Sequence, residues 1–184
     1  IWGMNATVND GYPCLQWQSE DCDEPEIDDA DGVSEAEEAA APNGGDANND
    51  GTIDSLQPKV TSIESDVSSN YVVLESTECA ANEDVTITSE TTTSSQDDDG
   101  YQYPAGLLSF TLTGCTVGVT ETITQYYYGD YDAAQVVVRK YDTTDHTYVT
   151  IESATKTNME IAGQKVLQVV YTVTDGGDLD ADGI

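Results

Sequence analysis

The stretch Gln164-Lys165-Val166-Leu167-Gln168-Val169-Val170-Tyr171-Thr172-Val173-Thr174 decides the fold. Leu167, Val169, Tyr171 and Val173 recur at every second position, which places them on one face of an extended chain, while Gln168 and Thr172 between them face water. Leu108, Phe110 and Leu112 repeat the pattern around Ser109 and Thr111. Further Thr-, Val- and Tyr-rich runs lie at 71–76, 84–90, 106–113, 117–128, 134–141 and 146–152, the composition expected of half-buried strands. Turn residues separate them: Asp99-Gly100, Gly114, Gly129-Asp130, residues 142–145 and Ala162-Gly163. No long helical period occurs in this half of the chain. About seven short strands at such spacing predict a mainly β chain, an antiparallel β-sandwich of Ig-like or jelly-roll-like form over 59–184.

Composition changes sharply upstream. The chain has 184 residues, 36 acidic against 5 basic, and a formal net charge of −31. The first basic residue is Lys59, and eleven of the nineteen positions from Glu20 to Glu38 are acidic. The shift predicts an orphan β-segment over 1–19, an acidic EF-hand-like calcium-loop module over 20–58, and the β domain after it. A surface this negative repels nucleic acid and anionic lipid, so neither is an expected partner, and it attracts cations. No apolar run reaches the roughly 18 residues of a membrane span, so direct membrane insertion is not expected. Dense acid is also how proteins stay soluble in brine, but such acid is scattered, without the register described next.

The strongest motif is Asp46-Ala47-Asn48-Asn49-Asp50-Gly51-Thr52-Ile53-Asp54. Oxygen-bearing side chains fall at loop positions 1, 3, 5 and 9, with Gly51 at position 6 for the sharp turn. Thr52 at position 7 offers its carbonyl, Ile53 at position 8 is expected to pack inward, and Gln57 holds position 12. A hard cation needs six to eight oxygens, and alternate residues of a tight turn deliver them; this is calcium-loop logic. Gln57 supplies one neutral oxygen where a bidentate carboxylate is usual, which lowers the charge of the site.

A second loop begins nineteen residues upstream. With Ile27 as position 1, Asp29, Asp31, Val33 (through its carbonyl), Glu35 and Glu38 fall at 3, 5, 7, 9 and 12, and Gly32 at 6. Ile27 brings no oxygen side chain, so Glu26 or Asp28 is asked to compensate. The plainer reading of the same stretch is an acidic linker with a short helix over 34–41, capped by Ser34 and stopped before Pro42. A third run, Asp178, Asp180 and Asp182 before Gly183, is too short for a full loop and needs ligands from elsewhere. Asp97, Asp98, Asp99 and Gly100 read as an exposed turn.

Cys14, Cys22, Cys79 and Cys115 include no Cys-x-x-Cys, and His146 is the lone histidine, so zinc lacks ligands. An even count in an acidic β protein fits disulfides formed in an oxidising compartment, extracellular or at the cell surface, with Cys14–Cys22 and Cys79–Cys115 as the nearest pairs. The triplet Asn5-Ala6-Thr7 is a weak glycosylation signal. No catalytic residues are expected: His146 sits in a polar turn and no phosphate-binding glycine loop occurs, so the chain does not read as an enzyme. Tyr126-Tyr127-Tyr128 with Tyr131 could stack on sugars, making an accessory glycan-binding module of a secreted hydrolase the alternative reading. Cross-strand packing is the commoner use of such tyrosines.

From Ser34 to Gln57 the residues SEAEEAAAPNGGDANNDGTIDSLQ resemble thrombospondin type 3-like and dockerin-like calcium segments of bacterial surface proteins. From there onward the chain is similar to the choice-of-anchor U domain, on Gly106-Leu107-Leu108-Ser109-Phe110, Arg139-Lys140-Tyr141-Asp142, and the run from Tyr171 through Gly177 into 178–183. Ile1-Trp2-Gly3 with Asn9-Asp10-Gly11-Tyr12-Pro13 resembles the closing strand of GLUG-type adhesin repeats. The resemblance implies a secreted module near the C-terminal end of a long surface protein, next to varied anchors and with no assigned catalysis. It departs from that pattern where an Asn-Gly and an Asp-Pro segment would follow Gly183, so a processed or cut fragment is expected. The expected partners are calcium and either a cell-surface partner or further copies of the chain in a filament joined by strand donation.

Overall fold

The computed structural model describes residues 2–3, 14–15, 29–93, 98–177 and 179–180. In chain order the elements are β1 (Trp2–Gly3), β2 (Cys14–Leu15), helix α1 (Glu35–Ala39), the kinked turn α2 (Pro42–Gly45), a 3-10 turn (Asp54–Leu56), β3 (Val60–Glu64), β4 (Tyr71–Ser76) and β5 (Ala81–Thr88). After them come helix α3 (Glu90–Thr93), β6 (Leu107–Thr113), β7 (Thr120–Tyr128), β8 (Arg139–Asp142), β9 (Thr147–Thr150), β10 (Thr155–Ile161) and β11 (Gln164–Thr174). The chain is mainly β and its sheets are antiparallel.

The principal sheet has the order β10-β11-β7-β4-β3, and β1-β2, β5-β6 and β8-β9 form two-stranded pairs. Sequence alternation explains β11, an interior strand beside the central β7: its apolar side chains at every second position share one buried face. Leu167, Val169 and Tyr171 join Leu74 and Ile123 in one cluster, and Leu108, Phe110 and Leu112 of β6 pack against it. The opposite face carries Val73, Tyr126, Tyr128 and Val166. Burial of each such aliphatic side chain contributes about 1.5–3 kcal/mol. The turn Ala162-Gly163 joins β10 to β11 through two residues, both with positive φ (49° and 80°), the mirror-image turn whose twist matches the strands it connects.

The acidic segment shares this core. Val33 belongs to the first cluster, while Ala41 and Ala47 belong to the second on the other face of the sheet. Residues 29–57 therefore pass around the β3 edge. Helix α1 covers that edge: Ser34 caps it by accepting from Glu37 N. Glu38 and Glu37 each accept a backbone N–H of β3, from Ser62 and Glu64, both at 3.0 Å. Edge N–H groups are left open to pairing with another chain unless something occupies them, and here two carboxylates do.

The Cys79–Cys115 disulfide is formed. Cys22 lies outside the described residues, so the Cys14–Cys22 pairing does too, as do Asn5, Asp97, Asp178 and Asp182. Among the described residues no helix is long and apolar enough to cross a membrane.

Candidate metal centre

The two acidic loops repeat one backbone. Gly32 and Gly51, both at loop position 6, have φ of 101° and 97°, in the left-handed region that favours glycine. Position 4 is also left-handed in each loop, at Ala30 (66°) and Asn49 (62°). The position-3 side chain accepts the position-5 N–H in both: Asp29 from Asp31 N at 3.3 Å, and Asn48 from Asp50 N at 3.1 Å. The position-5 side chain accepts the position-7 N–H in both, at 2.8 Å: Asp31 from Val33, and Asp50 from Thr52. The register read from the sequence is thus a real structural repeat.

In the 46–57 loop the expected ligands other than Asp54 are joined by hydrogen bonds. Asp46 Oδ1 and Oδ2 accept from Asp50 N and Gly51 N, and Asn48 Nδ2 reaches Asp50 Oδ2 at 3.3 Å. The Gln57 side-chain amide reaches Asp50 Oδ1 at 3.4 Å and the Thr52 carbonyl at 3.5 Å, closing position 12 over positions 5 and 7. No helices of EF-hand length flank the loop; the turn at Pro42–Gly45 precedes it, and a 3-10 turn leads from it into β3. Ile53, expected to pack inward, is 45% exposed.

Asp54 turns away from this set. Its Oδ2 accepts from Ala47 N at 3.0 Å and from the Ser62 hydroxyl, and its side chain is fully buried. Ser62 also donates its N–H to Glu38, so one residue of β3 holds a carboxylate from each loop.

In the upstream loop, carboxylate oxygens of Asp29, Asp31 and Glu38 lie within 4.8 Å of one another. Glu35, at position 9, is outside that group. Asp31 is 0% and Glu38 1% exposed. Val85 N, at the bulge of β5, donates to the Asp31 carbonyl at 3.1 Å and fixes the loop against the sheet. Burial raises Asp31; it also pushes Glu38 up to about 9, helped by the charges of Asp31, Asp29 and Asp54. Asp54 is pushed up to about 6 by burial and then by Asp46 and Asp50. Burial thus opposes the charge of this group, which either a bound proton or a bound cation relieves. The fit to calcium is geometric: oxygens bound at about 2.3–2.6 Å to one ion lie no more than about 4.6–5.2 Å apart.

The remaining expected sites resolve differently. Asp180 receives Gly176 N at 2.8 Å, and the preceding Leu179 carbonyl accepts from Lys140. Asp98 makes a bidentate pair with Arg139, at 2.5 and 2.9 Å. Arg139 in turn stacks 4.2 Å above the Tyr101 ring. Tyr141 and Tyr148, opposite each other in β8 and β9, pack at 5.0 Å beside this pair. The equal spacing of those tyrosines about the turn at residues 143–146 was the available signal. His146 is exposed in that turn. Tyr126 and Tyr128 are buried under the acidic segment, with Tyr128 donating to the Ala47 carbonyl at 2.7 Å.

Comparison with protein-family models, with curated proteins and with solved structures finds no match for this chain.

Proposed function

We propose that the chain is an extracellular, calcium-stabilised structural or adhesion module of a prokaryotic surface protein. The observation that carries this reading is the convergence of Asp46, Asn48, Asp50, the Thr52 carbonyl and Gln57 in one loop of left-handed turns. Two side-chain carboxylates, two amides and a carbonyl make a hard-oxygen set suited to calcium rather than to a softer metal. The Cys79–Cys115 bridge supports an oxidising compartment. The resemblance to thrombospondin type 3-like loops followed by a choice-of-anchor U domain fits the same picture, with the sheet and its facing hairpins as an Ig-like or jelly-roll-like sandwich. Burial of Tyr126 and Tyr128 leaves little of the tyrosine run for a sugar, which weighs against the glycan-binding alternative. Assembly by strand addition would use β10, since β3 is capped by Glu37 and Glu38.

The test is thermal unfolding with millimolar calcium and with chelator. The melting temperature rises with calcium, and the rise shrinks in Asp46→Ala with Asp50→Ala. Identical melts in calcium and chelator defeat the proposal.

A further inference from the structure

The upstream loop has Ile27, a side chain without an oxygen, at its first position, while Asp54 in the neighbouring loop uses only its Oδ2, on Ala47 N and the Ser62 hydroxyl. Asp54 is fully buried, and its Oδ1 has no hydrogen-bond partner among the described residues. Asp31 Oδ2, in the upstream cluster, is buried in the same condition. Ser62 holds Glu38 with its N–H and Asp54 with its hydroxyl, which links Asp54 to the cluster through one residue of β3, although Asp54 itself lies outside the three residues whose oxygens are within 4.8 Å of one another. We propose that Asp29, Asp31 and Glu38 with Asp54 form an interior divalent-cation site, in which Asp54 crosses from its own loop to supply the carboxylate that Ile27 cannot.

The inference rests on the calcium reading above and sharpens it. It assigns two unequal sites, an interior one of four carboxylates and an exposed one at 46–57 with two. Charge count tunes calcium affinity, so the interior ion is the tighter. Asp29 also lines a shallow, open cleft with Ser55, Leu56 and Pro58, so that side of the cluster faces solvent. An ion there ties the acidic segment to β3 through Ser62, since both carboxylates that grip that residue are its ligands.

The experiment is a calcium titration of the full chain by native mass spectrometry and calorimetry, with Asp54→Asn, Glu38→Gln and the double change Asp46→Asn with Asp50→Asn. The double change removes the weaker ion and leaves the tighter unaltered. Asp54→Asn and Glu38→Gln each weaken the tighter ion on the order of tenfold or more and spare the weaker. Circular dichroism in chelator shows that both single variants fold, because a neutral amide relieves repulsion among the carboxylates. If Asp54→Asn instead weakens the same ion as the double change, Asp54 is an ordinary ninth-position ligand and the inference fails while the calcium reading stands. A single ion abolished by the double change fails it in the same way. No calcium bound to the unaltered chain brings down both.

Discussion

Glu121 and Glu38 are both buried glutamates, at 4% and 1% exposure, and their carboxyl groups move in opposite directions. Burial alone would raise Glu121. It is outweighed by N–H groups of Thr77, Cys79 and Glu78 and by the Thr77 hydroxyl, which together hold the carboxyl below its ordinary value. Glu38 receives one N–H and faces three other acids, so its charge is opposed. A carboxyl lowered on folding contributes stability that is complete above its unfolded value, near 4.5, and is lost as the pH falls through the folded value. Glu121→Gln therefore costs about 1–3 kcal/mol at neutral pH, because donors lose a charged acceptor. Urea unfolding from pH 7 to pH 3 should show the gap between variant and parent closing at the acid end; a gap independent of pH removes the explanation.

Between elements, the strands that sequence reading located and those it missed divide by position in the sheet. β11 falls where its alternation places it, and β4 where its Tyr- and Val-rich run lies, because interior strands must bury apolar side chains and their composition follows. β3 and β10 were not anticipated, and they are the two edges of the same sheet. An edge strand packs against one neighbour and tolerates polar residues, as in Thr155-Lys156-Thr157-Asn158, so period two fades from its sequence. The shared turn of the two acidic loops was legible for a similar reason: glycine at position 6 and side-chain acceptors at positions 3 and 5 impose a strict local spacing. The burial of Asp54 against Ser62 was not, since it depends on how two loops nineteen residues apart meet at β3. Glu121 was missed as a lone acid in a Thr- and Tyr-rich strand, where nothing local marks the turn it serves. The β10–β11 turn gives a prediction at this scale. Ala162 holds a left-handed φ of 49°, which costs an alanine about 1–2 kcal/mol. Ala162→Asn, giving the Asn-Gly pair this turn favours, raises stability by about 1 kcal/mol in equilibrium unfolding. A loss of stability would show that the turn is held by something other than its backbone.

Across the whole molecule, a strongly self-repelling chain is tied by one disulfide among the described residues, and two or three bound calcium ions, were they present as proposed, would still leave roughly −25 of the −31 charge. The Cys79–Cys115 bridge closes a sequence separation of 36 and acts mainly on the unfolded chain. Its removal by Cys79→Ser with Cys115→Ser costs about 4 kcal/mol in the chain-entropy account. Urea unfolding in saturating calcium measures this apart from the metal, and a loss below 1 kcal/mol would place the stabilisation elsewhere. The phenol of Tyr128, described above as a hydrogen-bond donor to Ala47, also has an optical meaning. Ala47 stands between Asp46 and Asn48, so the ring lies directly beneath the exposed loop. An ultraviolet-absorbing group in that place is an antenna: a luminescent lanthanide bound in the 46–57 loop would be lit through it.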